Sequence, residues 1–437
     1  MKRQPAHLAN GEARSLSAIP NLEFSAFQKT ILHELANGAR LACLCADRTG
    51  AGYAVLAEEA KQRFGVLRTQ FPENQFPSLT PQCPQAHLFE REIAEQWGLL
   101  PVDHPWLKPL RFHPAWAGRD VWERETIQPG VMDFYRVEGE TIHEVAVGPV
   151  HAGVIEPGHF RFQCHGETVF HLEIALGFQH RGIERALEGG PHKLTLKMME
   201  TAAGDTTIGH AWAHALVMEA LAGSEVPARA HHHRAIALEL ERLANHTGDL
   251  GALAGDVGFL PTAAFCGRLR GDWLNLTALL CGSRLGRDLV RPGGVGFDLD
   301  ATQIEELRLR LEAAFTDTAN AVELLLATPS VLARFEGTGK IERFAAEDAG
   351  LVGPAARACG LPRDARTHFP VGFYQDLKLP MVLDHDGDVA ARARIRWAEI
   401  QASVQFIRQA LEGLAELPTG PTLVPCGPLA PNHLALG

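Results

Sequence analysis

His159–Gly177 reads HFRFQCHGETVFHLEIALG. Phe160, Phe162 and Cys164 alternate with Arg161 and Gln163, which is the period of a strand with two unlike faces. His165-Gly166 supplies a turn, and the alternation resumes through Leu172 and Ile174, so the stretch predicts a β-hairpin. The character of the chain changes here. Before it, short apolar runs such as ARLACLCADR and RFGVLRTQF flank a stretch around Ala54–Lys61 that reads as helix, the pattern of a small α/β domain over residues 39–75. After it the chain turns helical.

In VPARAHHHRAIALELERLANHTGDLG, Pro227 stands near a helix start and Gly248 past its end, with Ile236, Leu240 and Leu243 as the apolar stripe. A last long helix over Asp388–Leu414 repeats Ala393, Trp397, Ile400, Val404, Ile407 and Leu411 at spacings of four and three, one side of a helical bundle. The segment GDTTIGHAWAHALVME, Gly204–Glu219, reads as the start of another buried helix, with Trp212, Ala213, Leu216 and Val217 on one face. Residues 1–38 read as an adaptable lead. Residues 76–114, Pro-rich at both ends, hold a helix near Ala86–Trp97 with Leu88, Ile93 and Trp97 on one side, and residues 115–143 read as a linker.

The chain has 437 residues, enough for two or three domains, and is 46% hydrophobic and 21% charged. A net charge of −11 argues against a nucleic-acid surface. No run of apolar residues is long enough to span a bilayer, and MKRQPAHLAN is not a secretory signal, so membrane association is expected through partners. The eight cysteines are scattered, which points to free thiols in a reducing compartment.

No two cysteines have CxxC spacing. Cys43 and Cys45 share a strand face and read as core residues. His210 and His214 share a helix face, but no glutamate lies between them, so they read as histidines lining a core or a polar cavity rather than metal ligands. His231–His233 point in different directions from a helix and read as a partly exposed turn. GPVHAGVIEPGHFRF, residues 148–162, places His151, Glu156 and His159 on a Gly/Pro-fixed loop, residue types suited to proton transfer if they face a cavity. The glycines around Gly293–Gly296 lack the pattern of a nucleotide loop and are assigned to a turn.

Together these pieces resemble a fusion of the C-type and D-type subunits of respiratory complex I, the pair also fused in the large subunits of membrane-bound, energy-converting [NiFe]-hydrogenases of formate hydrogenlyase type. FPSLTPQCPQAHLFEREIAEQWGLLPVDHPWLKPLRFH carries the resemblance to the C-type subunit. GPVHAGVIEPGHFRF, GFQHRGIERALE, RAIALELERLANH, RPGGV, RACGLPRDAR and GDVAARARIRWAEI follow the order of the D-type subunit and the hydrogenases, and the likeness covers about residues 35–437. It implies an α+β chain. Residues 1–125 would be an α/β domain like the C-type subunit and residues 126–142 a linker. Residues 143–437 would be a mainly helical, hydrogenase-large-subunit-like domain opened by a β-hairpin and short at its C-terminus.

The resemblance also implies a site. The hydrogenase branch has Cys-Gly-Ile-Cys where this chain has Thr207 and His210, and its second cysteine pair would lie beyond APNHLALG, so nickel is not expected. The quinone-binding tyrosine of complex I falls at Ile208, and the second histidine of its loop near Pro157, two residues from His159. Glu156 matches the proton-passing glutamate of the hydrogenases. Glu156, His159 and His210 are thus expected as the reactive groups of a proton or quinone cavity, with His151, Arg181, Thr207, Asp364 and Arg366 lining it. Asp364 and Arg366 read equally as a charge-coupling element and as a structural ion pair. No metal or other cofactor is expected on this chain, quinone being the one candidate.

The function implied is that of an oxidoreductase subunit, NADH:quinone oxidoreductase-like or hydrogenase-related. It would take electrons from a small iron–sulfur subunit of complex I B type and couple them to ion translocation through membrane antiporter-like subunits. Its place would be peripheral, on the cytoplasmic side of the inner membrane. A non-catalytic scaffold joining those partners is the second reading and an active hydrogenase the third.

Overall fold

The computed structural model describes residues 4–150 and 157–437. The chain divides into two compact units. Pro20–Ala57 and Gly65–Gly190 make up most of the N-terminal one, and His7–Ile19, Glu58–Phe64 and Pro191–Gly437 the C-terminal one.

The N-terminal unit is built on strands β1 (Arg40–Ala46), β2 (Ala51–Glu58) and β3 (Arg63–Gln70), part of a five-stranded sheet in the order Ala6–Leu8, β3, β2, β1, with Asn21–Leu22 parallel to β3. The helix expected over Ala54–Lys61 is therefore a strand. Its alanines and glutamates favour helix, but pairing with β1 buries Ala54, Leu56 and Ala57. The lead is also structured. Glu23 caps helix α1 (Phe24–Ala36), which buries Phe24, Phe27 and Ile31 at helical spacing. Helix α2 (His87–Trp97) buries Ile93 as expected, while Leu88 faces outward at 48% exposure.

The hairpin is present as β5 (Gly158–His165) and β6 (Thr168–Ala175), and a third strand, β4 (His143–Val150), pairs with β5. Gln163 and Glu173 are buried, with Glu173 bound by Lys108 at 2.8 Å and by the Tyr135 amide. Val145, Val147, Leu172 and Ile174, which flank Phe160 and Phe162 across the register, are each at least 40% exposed.

The C-terminal unit is a helical bundle of α3 (Thr207–Ala222), α4 (Ala228–Asp256), α5 (Leu260–Cys281), α6 (Ala301–Ala327) and α7 (Val389–Glu416). Ile236, Leu240, Leu243, Trp273, Ile400, Val404, Ile407 and Leu411 meet in one core, each aliphatic side chain contributing about 1.5–3 kcal/mol. Helix α4 runs through Gly248 instead of ending before it. A Cβ at Gly248 would lie 2.9 Å from Arg270, and one at Gly251 2.8 Å from the Cβ of Cys266. These glycines let α4 and α5 approach. The buried face of α3 is Ile208, Ala211, Trp212 and Ala215, one step round from the face expected. His233 is fully buried rather than partly exposed, and its Nε2 lies 3.2 Å from Asp298.

Candidate functional site

Helix α3 begins without a cap from its own N-terminal flank. The gap is filled from α4. The Glu241 carboxylate accepts from the amides of Ile208 and Gly209 at 2.7 and 3.1 Å. Those amides sit at the positive end of the helix, which favours a negative charge, but burial dominates and pushes the Glu241 carboxyl up to about 7. Glu241, Asn245, Arg270 and Thr277 line a cavity of about 10 Å³ beside it. The hydroxyls of Thr277 and Thr207 are buried without a hydrogen-bond partner. His210 follows on the next turn, and burial lowers its pKa, so the imidazole is neutral at neutral pH.

A second cluster holds Asp364 and Arg366. Asp364 caps the short helix Ala365–His368 and binds the Arg366 guanidinium at 3.0 and 2.7 Å. The other edge of Arg366 reaches Glu239 at 3.1 and 3.3 Å. Glu239 also accepts from the Tyr374 hydroxyl at 2.6 Å and from Ser403 at 2.5 Å. Arg357 lies 4.0 Å from Asp364 and 2.5 Å from Glu399, and Glu399 accepts from His246 at 2.7 Å. Arg242 lies 3.4 Å from Glu239 and 3.9 Å from Glu399.

Three carboxylates thus share three guanidiniums in the interior, which offsets much of the desolvation cost that isolated charges would carry. Burial works against ionisation at Asp364, but Arg366 holds it well below the usual carboxylate range. At Glu399 burial is likewise outweighed, by the His246 bond and then Arg357, and the pKa falls to about 2. Burial keeps His246 itself neutral, as the donor to Glu399. Trp212 of α3 stacks on Tyr374 with ring centroids 6.0 Å apart, so the second cluster packs against α3 through that aromatic pair.

The 49 kDa subunit of respiratory-chain NADH dehydrogenase matches residues 256–430, and the 30 kDa subunit matches residues 27–126. Hydrogenase-4 component G of Escherichia coli (strain K12) is 30% identical over 405 residues, spanning 88% of this chain and 68% of that protein. The chain belongs to the fused C/D subunits of the complex I and hydrogenase family. A further relative, formate hydrogenlyase subunit 5 of the same organism, is 29% identical over 88% of this chain and 70% of its own length. A chain of the membrane-bound sulfane sulfur reductase, an archaeal respiratory membrane complex, shares the fold with a TM-score of 0.60 at 24% identity, over 67% of this chain and 77% of that one.

In this C/D-type chain, Thr207, His210, Asp364 and Arg366 all lie in the C-terminal unit, the first two on α3 and the last two in the second cluster. His159 and Arg181 belong to the N-terminal unit. His159 donates from Nδ1 to the Gly148 carbonyl at 3.4 Å and accepts at Nε2 from Arg161 at 3.2 Å. Arg181 is exposed in the turn before Ile183. His151 and Glu156 lie outside the described residues. Sequence reading passed over Glu239, Glu241, Glu399 and Arg357. One signal was available. Glu239 stands three after Ile236 and four before Leu243, in phase with an apolar stripe, where a carboxylate needs a buried partner.

Cys43 and Cys45 are not core residues. Both are partly exposed, and both line a cavity of about 540 Å³ within the N-terminal unit. Among the described residues no three His, Cys, Asp or Glu side chains are arranged to hold a metal ion, and no helix is long and apolar enough to cross a membrane.

Proposed function

We propose that this chain is the subunit of a membrane-associated, complex I-like or hydrogenase-related oxidoreductase in which electrons from a partner iron–sulfur subunit reach a substrate, a quinone being the first choice, at the N-terminus of α3. The observation that carries this reading is the arrangement of α3 itself. The neutral His210 imidazole and the unpartnered Thr207 hydroxyl stand on the first turns of α3, and the Glu241 carboxyl, poised near neutrality, accepts from the amides of that turn. Such a set favours an incoming negative charge and can exchange a proton at neutral pH.

Nickel–iron chemistry does not fit the donors. Thr207 offers a hydroxyl and His210 an imidazole, while a low-spin nickel–iron centre calls for thiolates. The donor chemistry suits a quinone better, since its oxygens accept from a hydroxyl and an imidazole N–H, and the cavity of about 10 Å³ would have to open to admit it. The Asp364–Arg366–Glu239 cluster, joined to α3 through Tyr374 and Trp212, is proposed to pass the change of charge onward to ion movement in antiporter-like membrane subunits. Membership of a complex is further supported by the outward apolar face of β4, β5 and β6, a surface suited to a partner. The expected place is peripheral, on the cytoplasmic side of the membrane.

The test is the nickel, iron and quinone content of the complex isolated from membranes through a tag on this chain. Iron with stoichiometric quinone and no nickel is the expected result. Iron without nickel or quinone would leave a scaffold, and stoichiometric nickel would return the chain to the active hydrogenases.

A further inference from the structure

The thiols of the N-terminal unit have no part in that function. Cys43 and Cys45 alternate along β1, so both side chains leave the same face of the strand. The other face sends Leu41, Leu44 and Ala46 into the core. Of the remaining cysteines all but Cys426 are buried. The pair opens into the 540 Å³ cavity, a volume in the range of small-molecule sites. Phe89, Trp97 and Trp116 form its apolar walls, with the two indoles 5.6 Å apart.

The two thiols are unlike. Cys45 donates its S–H to Cys43, which draws the Cys43 thiol below its ordinary value and pushes Cys45 well above. One sulfur is thus set up as the nucleophile and the other as the proton-bearing partner, the division that thiol–disulfide exchange requires. The cavity also presents both signs of charge. Arg48 pairs with Glu188, Arg111 with Glu184 at 2.5 Å, and Arg185 lies over the Trp116 ring. Each ion pair can trade one member for the ammonium or the carboxylate of a zwitterion.

We propose that Cys43 and Cys45 form a thiol–disulfide exchange site for a small zwitterionic disulfide of the amino-acid or peptide type. The Cys43 thiolate attacks one sulfur of the disulfide. The small S–S bond breaks, and the first small thiolate leaves and takes up a proton from water. Cys45 then attacks the Cys43 sulfur of the mixed disulfide, and the second small thiol departs with the Cys45 proton. The chain gives up two electrons, which the small disulfide gains. Residues two apart on a strand have Cα atoms about 6.6 Å apart and near-parallel Cβ bonds, so a disulfide between them closes only with local movement of β1. The bond closes under strain and is readily reduced again, which suits a reversible modification.

The test uses the full chain in its isolated complex, with oxidised glutathione as the probe and mass spectrometry as the readout, and it needs no turnover at α3. Wild type is expected to lose two hydrogens from the segment holding Cys43 and Cys45, reversibly with reduced glutathione. Cys45→Ser is expected to accumulate one glutathione on Cys43, and Cys43→Ser to react about tenfold or more slowly at Cys45. Cystamine, which has no carboxylates, is expected to react more slowly than oxidised glutathione. The proposal fails if wild type stops at a glutathione adduct, if the two single variants react at equal rates, or if Cys426 outpaces both. Equal rates with cystamine would overturn the choice of a zwitterion.

Discussion

Replacing Arg366 by alanine removes the guanidinium that Asp364 and Glu239 share, in a place where Arg366 is 7% exposed and Glu239 is fully buried. Truncating one member of a buried charge cluster costs about 3–5 kcal/mol, because the partners are left charged and unpaired. Arg357 at 4.0 Å and Arg242 at 3.4 Å are too far to replace the bidentate contacts. The loss has a pH signature. Asp364 is held below its ordinary pKa in the folded chain, so its contribution is fully present above the unfolded value and is lost as pH falls through the lower folded value. In Arg366→Ala that depression is gone, and burial raises both carboxyls so that they take up protons on mild acidification. The stability gap between wild type and variant should therefore be widest near pH 7 and narrow towards about pH 5. Urea unfolding at the two pH values measures it. A gap below about 1 kcal/mol, the size of an exposed pair, or one that does not narrow with acid would refute the reasoning.

Three other outcomes are expected. Glu241 has a raised folded pKa of about 7, so its contribution is fully present below its ordinary value of 4.5 and is lost as pH rises from there to about 7. Glu241→Gln, always neutral, should gain on wild type by about 3 kcal/mol between about pH 4 and pH 8, and melting curves that stay parallel with pH would contradict the burial argument. Gly251→Ala drives a Cβ to 2.8 Å from Cys266 and should cost about 1–3 kcal/mol, whereas Gly255→Ala, with its nearest neighbour 3.9 Å away, should be neutral or stabilising in the same thermal unfolding experiment. Leu172→Asp with Ile174→Asp alters exposed positions, so the isolated chain should keep its stability within about 1 kcal/mol while partner subunits no longer co-purify with it. Unchanged co-purification would remove that face from the interface.

The long helices were legible wherever the apolar period was long and uninterrupted. α7 starts at its Asp388 cap and buries Ala393, Ile400, Val404, Ile407 and Leu411 as the spacing of four and three requires. The hairpin was legible because alternation and a Gly turn act locally. Ala54–Lys61 was misread since its helix formers are overruled by pairing with β1, and the true end of α4 was hidden because Gly248 reads as a stop when the neighbouring helix is unseen.

By itself the sequence determined the family, the mixed α and β character, and the absence of thiolates at Thr207 and His210. Those depend on residue identity and order alone. Only the tertiary structure decided that Glu241 caps α3, that Asp364 and Arg366 are one edge of a cluster holding Glu239, Arg357 and Glu399, and that Cys43 and Cys45 face a cavity instead of the core. Partners in these clusters stand up to 164 residues apart, as with Glu239 and Ser403. Burial and charge pairing act through space, so the ionisation state of a carboxyl or the access to a thiol is fixed only once distant segments have packed around it.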